Sequence, residues 1–372
     1  VILHINTSRE WRGGENQVLN LAIGLKKLKI AQIILAQPDS PLAKRAKEAK
    51  IDVIEYPMQG EFDWNAIRKI RNIVHDNQVG IVHTHTAHAH SLAFFAKKKK
   101  DSWKLIVARR VDFRMGKNLF SRWKFTSPLV DLVIGVSRQI QKYLIEDSVP
   151  PIRTIAIHSG IDLQKFSKLP SAEGIRKELN LNKKTLVIGN VAALVDHKDH
   201  QTFFKALALI DPSIDFKAIL LGVGKLESKL RDLAKELELE DKLLFMGFRD
   251  DVLNFLNLFD IFTLTSKEEG LGTSILDAMA AGLPIVATRA GGIPEMVVPD
   301  RGGYLSDVGD SSSLAEQYNY LLQNPSIRHS MGEWNREHVK KFSYENMVQK
   351  TVQVYYSFLG DDLYSKKTAR TT

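Results

Sequence analysis

The chain has 372 residues, 44% hydrophobic and 26% charged, with no cysteine and a formal net charge of +9. That composition suits two folded domains and excludes disulfide scaffolds and thiolate zinc or nucleophile chemistry; no apolar run approaches the ~18 residues that span a bilayer. Residues 1–5 read as a strand rather than a signal segment, the lack of cysteine fits a cytoplasmic location, and the positive charge points to an anionic partner: nucleotide, phospholipid surface or nucleic acid.

Strand-like and helix-like runs alternate throughout, the pattern of parallel α/β sheets. Strands are expected at 2–5, 31–36, 53–56, 80–83, 105–108, 132–135 and 155–157. Between them, helices are expected at 15–27, 42–49, 64–77, 89–96 and 138–146, the first of them after a Gly13-Gly14 turn. The polar stretch 167–184 reads as a linker region, so the first domain is placed at 1–166 and the second at 167–343. In the second series, strands 185–190, 217–221, 242–246, 261–264 and 284–287 alternate with helices 202–209, 226–237, 251–258 and 274–281. A short helix near 294–298 and the helices 312–323, 325–342 and 344–356 close the chain. The fold class is therefore α/β, two doubly wound Rossmann-like domains, with a ligand cleft expected between them at the carboxyl ends of both sheets.

The most informative stretch is Glu269-Gly270-Leu271-Gly272-Thr273, which leads from an apolar strand into a helix carrying Asp277. Glycines let the backbone approach a ligand, and a helix start offers free N–H groups and a positive dipole end. Carboxylates flanking a phosphate cradle suit hydroxyl groups, so the pattern suggests a nucleotide sugar; a plain strand-to-helix turn is the alternative. Gly13 and Gly14 offer a second such turn, where Arg12 could meet a phosphate and Glu15 a sugar hydroxyl. Lys198, in Asp196-His197-Lys198-Asp199-His200, could reach a diphosphate as a point charge, or be a solvated lysine. Histidines 83, 85, 88 and 90 line the cleft mouth or cap loops in the favoured reading, with a metal site as the lesser alternative. Residues 94–124 are basic and aromatic, from Phe94 through Lys97 to Lys124. They read as a solvated charged face, or as a docking surface for anionic membrane; no reading module accompanies the charge that would suit nucleic acid.

These motifs together resemble the retaining GT-B-fold glycosyltransferases of family 4, the group 1 glycosyl transferases. The resemblance runs nearly end to end: His4-Ile5-Asn6 with Gly13-Gly14-Glu15; Gly135-Val136-Ser137; Ser159-Gly160-Ile161-Asp162 with Phe166; Gly222-Val223-Gly224; Phe245-Met246-Gly247-Phe248-Arg249-Asp250; Glu269 to Gly272; Asp277 to Pro284; Gly291-Gly292-Ile293-Pro294-Glu295; and Phe342-Ser343-Tyr344. It implies a C-terminal helix, within 344–372, that returns to the first domain. It also implies catalytic roles for Glu269, Lys198 and Asp112. The implied donor pocket takes Gly13, Gly14, Lys198, Gly222, Phe248, Glu269, Gly270, Leu271, Gly272, Thr273 and Asp277, with Glu269 on the sugar, Lys198 on the diphosphate and Asp277 on the ribose. Arg12, Glu15, His85 and Arg110 fall on the acceptor side. No cofactor and no metal are expected.

Three departures stand out. Asp277 replaces the family's usual glutamate, Ala193 stands where an arginine commonly precedes the lysine, and Arg109-Arg110-Val111-Asp112 replaces a usual histidine. Arg12 or Arg289 would have to supply the missing charge. The implied activity is transfer, with retention, from a nucleotide-diphosphate sugar, UDP favoured, to a cell-envelope glycan or lipid-linked acceptor such as lipopolysaccharide, at the inner face of the plasma membrane. A glycosyltransferase-like binding protein and a nucleotide-sugar epimerase are the alternatives. Nucleic acid is not expected as a partner.

Overall fold

Runs such as Ile2-Leu3-His4-Ile5 and Ile261-Phe262-Thr263-Leu264 are apolar without alternation, as strands must be when helices cover both faces of a parallel sheet. The computed structural model describes residues 1–112, 114–115 and 119–364. It divides into two units: Val1–Ile161 with the segment from Phe342 on, and Asp162–Lys341.

The first unit holds a seven-stranded parallel sheet. Its strands are β1 (Ile2–Asn6), β2 (Gln32–Ala36), β3 (Val53–Glu55), β4 (Ile81–Thr84), β5 (Lys104–Arg109), β6 (Leu132–Gly135) and β7 (Thr154–Ala156), ordered β3-β2-β1-β4-β5-β6-β7. The order reverses between β1 and β4, so the loops at their carboxyl ends diverge and leave a place for a ligand. Ser40, Asp63, Thr86 and Ser137 each accept from a first-turn amide of the helix they precede, which fixes where those helices start. The C-terminal helix Tyr344–Leu359 belongs to this unit. Its Val348, Val352 and Tyr355 pack with Ile2, Leu21, Ile81 and Ile106, and a side chain at Gly24 would overlap Val348. Tyr344 N–H donates to the Ile161 carbonyl at 2.9 Å and Ile161 N–H to that of Phe342 at 3.0 Å. These bonds tie residues 161 and 342–344 to the first unit, so the division falls at 161/162 and 341/342, where the sequence reading has 166/167 and 343/344.

The second unit holds six parallel strands: β8 (Leu186–Val191), β9 (Phe216–Leu221), β10 (Leu243–Phe245), β11 (Ile261–Leu264), β12 (Ile285–Thr288) and β13 (Gly303–Ser306), ordered β10-β9-β8-β11-β12-β13. Phe203, Phe204 and Tyr318 fill its core against Ile188 and Ile261. The order reverses between β8 and β11, whose following loops carry Lys198 and Glu269.

The α-helices Leu119–Thr126 and Glu173–Glu178 and the strand β13 were not expected. Glu173–Glu178 has one buried residue, Ile175, too few to show a helical period. β13 begins in Gly302-Gly303, turn composition that here serves close packing, since a side chain at Gly303 would overlap the Ile285 carbonyl. Among the described residues, no helix is long and apolar enough to cross a membrane.

Candidate active site

In the second unit, Lys198 ends a short 3-10 turn, Asp196–Lys198, and Glu269 lies in the loop after β11. Their side chains form an ion pair, both largely shielded from solvent. Around the pair the two loops are stitched together. Ser266 Oγ donates to Glu269 Oε2 at 3.2 Å, the Thr265 hydroxyl reaches the carbonyls of Lys198 and Asp199 at 3.2 and 3.0 Å, and Lys267 N–H donates to the His197 carbonyl at 2.8 Å. The Glu269 carbonyl accepts from Gly292 N–H at 3.0 Å, which brings in the Gly291-Gly292 turn. A largely shielded charge pair held by this many loop bonds is a preorganised arrangement rather than a surface contact.

Gly272 adopts φ +90° as the N-cap of helix Thr273–Ala281, a left-handed conformation that favours glycine. Gly270, Leu271 and Thr273 therefore pass directly into a helix N-terminus. Asp277 follows one turn later, and burial pushes its carboxyl up to about 7, with Lys165 opposing. Gly222 serves the backbone: at φ +145° it lies so close to the Ala192 carbonyl that a side chain would overlap it, and Gly224 abuts Leu194 in the same way. These two glycines seat the loop after β9 on the 192–194 loop that leads to Lys198. Phe248, after β10, is exposed. Of the proposed substitutes for the missing arginine, Arg289 lies 3.7 Å from Asp307 and Arg12 pairs with Glu10. His197 and His200 do not form a metal-binding group with Asp196 and Asp199 among the described residues.

In the first unit, several expectations need correction. Gly13 and Gly14 are the first two residues of helix Gly13–Lys27, not a turn before it, and neither has a positive φ. Glu15 is buried and caps its own helix: it accepts from Arg12 N–H at 3.1 Å and from Asn6 Nδ2 at 3.2 Å, so its carboxylate is committed internally rather than open to a sugar hydroxyl. His85 is likewise internal, its Nε2 3.1 Å from His4 Nδ1, and does not line a surface. Asp112 is buried, and its charge acts on Arg109. Arg110 lies against Gly14; burial lowers its guanidinium to about 10, Glu15 opposing, and its Nε is buried without a partner.

The family follows from two sequence models. The model of group 1 glycosyl transferases matches residues 171–338, and that of Glycosyltransferase Family 4 matches 11–165. The chain is a family 4 glycosyltransferase. It is 27% identical over 317 residues to the N-acetyl-alpha-D-glucosaminyl L-malate synthase of Bacillus anthracis, covering 83% of this chain and 82% of that one. Solved structures give the GT-B fold. A Rickettsia africae glycosyltransferase superposes with a TM-score of 0.87 at 21% identity, covering 97% and 98% of the two chains. Anabaena HepE in complex with UDP-glucose superposes with 0.84 at 21% identity, covering 96% and 99%.

The basic, aromatic segment of this glycosyltransferase is less uniformly exposed than its composition suggests. Lys97 is ion-paired with Asp131 and lies over the Trp103 ring, and Lys124 is buried against Ser91 and Glu61. Charges with internal partners are not available to lipid, so the docking surface cannot be the whole of 94–124. Lys98, Lys99 and Lys100 are exposed, as are Phe62 (59%), Leu119 (76%) and Trp123 (52%), while residues 113 and 116–118 lie outside the described residues. Sequence reasoning missed Ser266, Thr265 and Lys165; single hydroxyls in a loop and a lysine in the short 3-10 helix Leu163–Phe166 carry no spacing signal, and only the fold brings them to Glu269, Lys198 and Asp277.

Proposed function

We propose that this glycosyltransferase moves a sugar from a UDP-sugar, with retention and without a metal ion, to a cell-envelope glycan or lipid-linked acceptor. The observation that carries this reading is the Lys198–Glu269 pair, held beside the N-terminus of helix Thr273–Ala281. Lys198 supplies a point charge to the diphosphate, and the helix start adds N–H groups and a positive dipole end. A phosphate that engages Lys198 loosens its hold on Glu269, whose carboxylate then accepts from donor-sugar hydroxyls. Asp277 accepts from the ribose. HepE, which has a structure in complex with UDP-glucose, supports the choice of nucleotide.

In the proposed reaction the bond from the anomeric carbon to the diphosphate oxygen breaks, and the bond to the acceptor oxygen forms on the same face. The acceptor proton passes to the departing phosphate oxygen. No protein nucleophile is required, because fixed donors stabilise the charge that develops on the leaving group. Arg110 and Arg12 take the acceptor side, and Asp112 acts as a positioning residue through Arg109. Lys98, Lys99 and Lys100, with the exposed aromatic residues nearby, place the enzyme on anionic lipid at the inner face of the plasma membrane.

Ala193 and Asp277 favour a second reading, a sugar-nucleotide binder with weak or no transfer. An epimerase on the same fold would change the donor sugar with no acceptor present. Two readouts separate all three: the transferase releases UDP only when acceptor is present, the epimerase converts the donor sugar without acceptor and without net UDP release, and the binder does neither.

A further inference from the structure

Histidines 4, 83 and 85 form a buried cluster that the proposed transfer does not use. β1 and β4 are parallel neighbours whose register sets His4 opposite His83, and the two-residue period of a strand carries His85 to the same face. The three are 0%, 3% and 4% exposed, and one ring nitrogen from each lies within 4.8 Å of the other two. Burial lowers the pKa of each, His4 to about 3, so all three are neutral imidazoles with a lone pair to offer. The contact of His4 Nδ1 with His85 Nε2 at 3.1 Å uses one nitrogen of each ring, and His4 Nε2, His83 Nε2 and His85 Nδ1 are buried without hydrogen-bond partners.

We propose that His4, His83 and His85 hold one borderline divalent transition cation, with zinc as the reference case, as a structural site in the first unit. Tetrahedral zinc at about 2.0–2.1 Å from nitrogen separates its ligands by about 3.3 Å, so His4 Nδ1 and His85 Nε2, 3.1 Å apart, can both bind it once the proton between them moves to the other nitrogen of its ring. Tyr355 supplies an outer partner: its hydroxyl lies 2.6 Å from His83 Nδ1. When that nitrogen carries the proton, the His83 lone pair is on Nε2, the nitrogen with no other partner. A set of three imidazoles without a carboxylate selects zinc, cobalt, nickel or copper over magnesium or calcium. The charge of Arg110 reaches His83 and His85, and the Glu15 carboxylate acts on Arg110 in turn. Nothing in the proposed transfer runs through this site, whose ligands lie in the unit that lacks Lys198, Glu269 and Asp277.

The test uses the untagged full-length chain, expressed with zinc and dialysed, with metal measured by plasma mass spectrometry. One equivalent per chain is expected, together with the intense visible bands of tetrahedral cobalt after exchange. His4→Phe and His83→Asn should each retain less than a tenth of an equivalent, while His75→Ala, at an exposed histidine, retains all of it. Substoichiometric metal in the wild-type chain, or retention by the two cluster variants equal to that of the wild type, overturns the proposal. If the variants do not fold, the wild-type cobalt spectrum decides, and absence of tetrahedral bands overturns it.

Discussion

Lys198 and Glu269, 71 residues apart in sequence, meet as a shielded ion pair between the loops that follow β8 and β11. The pair stands at the point where strand order reverses in the second sheet, and the same loops carry the glycines that open helix Thr273–Ala281. Replacing either partner by alanine leaves the other charge in place without its counterion. Glu269→Ala and Lys198→Ala should each lower kcat by roughly two to three orders of magnitude, the effect of removing one preorganised transition-state contact. Circular dichroism should show the fold intact. Near-wild-type turnover in both variants would place the donor site elsewhere.

With Asp277 on the ribose, as proposed, donor binding should depend on pH. Burial pushes its carboxyl up to about 7, so it should be largely neutral at pH 6 and largely ionised at pH 8. In the proposed site the ribose hydroxyls would donate to the ionised form, so UDP affinity should rise as pH rises through 7, with a proton released on binding. Calorimetry in buffers of different ionisation enthalpy measures that release, and Asp277→Asn should abolish both effects. The sign for stability is opposite. The raised pKa stabilises the fold below the unfolded-state value, and this contribution is lost as pH rises towards and through 7. Asp277→Asn should therefore gain thermal stability relative to the wild type more at pH 8 than at pH 4.

Gly222→Ala tests the seating of the lysine loop. The added methyl would overlap the Ala192 carbonyl, and φ +145° is unfavourable for alanine. We expect a loss of about 1–3 kcal/mol in urea unfolding, from strain and overpacking. UDP affinity should fall with it, because the displaced segment leads to Lys198. Unchanged stability would mean that the loop yields freely.

Lipid docking should depend on three lysines rather than on the whole basic segment. Lys98, Lys99 and Lys100 are exposed, whereas Lys97 is committed to Asp131. At about 1 kcal/mol per lysine near an anionic surface, replacing the three with glutamine should weaken vesicle binding roughly a hundredfold. Sedimentation with vesicles containing phosphatidylserine measures this, and transfer to a soluble acceptor should be unaffected. Retained binding would exclude this surface.

Where local chemistry decides an element, the sequence was legible to the residue. β6, β11 and helix Arg138–Glu146 match expectation end to end, the helix because Ser137 caps it and its apolar residues recur at helical spacing. β13 and Glu173–Glu178 were not legible, because a Gly-Gly start and a nearly all-polar helix depend on tertiary packing. The candidate site divides in the same way. Glu269, Lys198 and Asp277 are conspicuous beside glycines or a helix start, but their partners Ser266 and Lys165 are not. Glu15 was read as facing a ligand because its capping of its own helix depends on Gly13 already being helical. His4 was read only as part of the first strand, since the histidines it meets lie some 80 residues further along the chain.

Sugar transfer with retention from a UDP-sugar is the reaction proposed for this chain. It is tested most directly by incubating the chain with UDP-glucose or UDP-N-acetylglucosamine and a panel of acceptors, including L-malate and polyprenyl-diphosphate-linked sugars, and recording the product by proton NMR. Acceptor-dependent UDP release and a product with the α-anomeric configuration of the donor are expected. A β-linked product would contradict retention, and absence of acceptor-dependent UDP release across the panel would contradict the transferase reading itself.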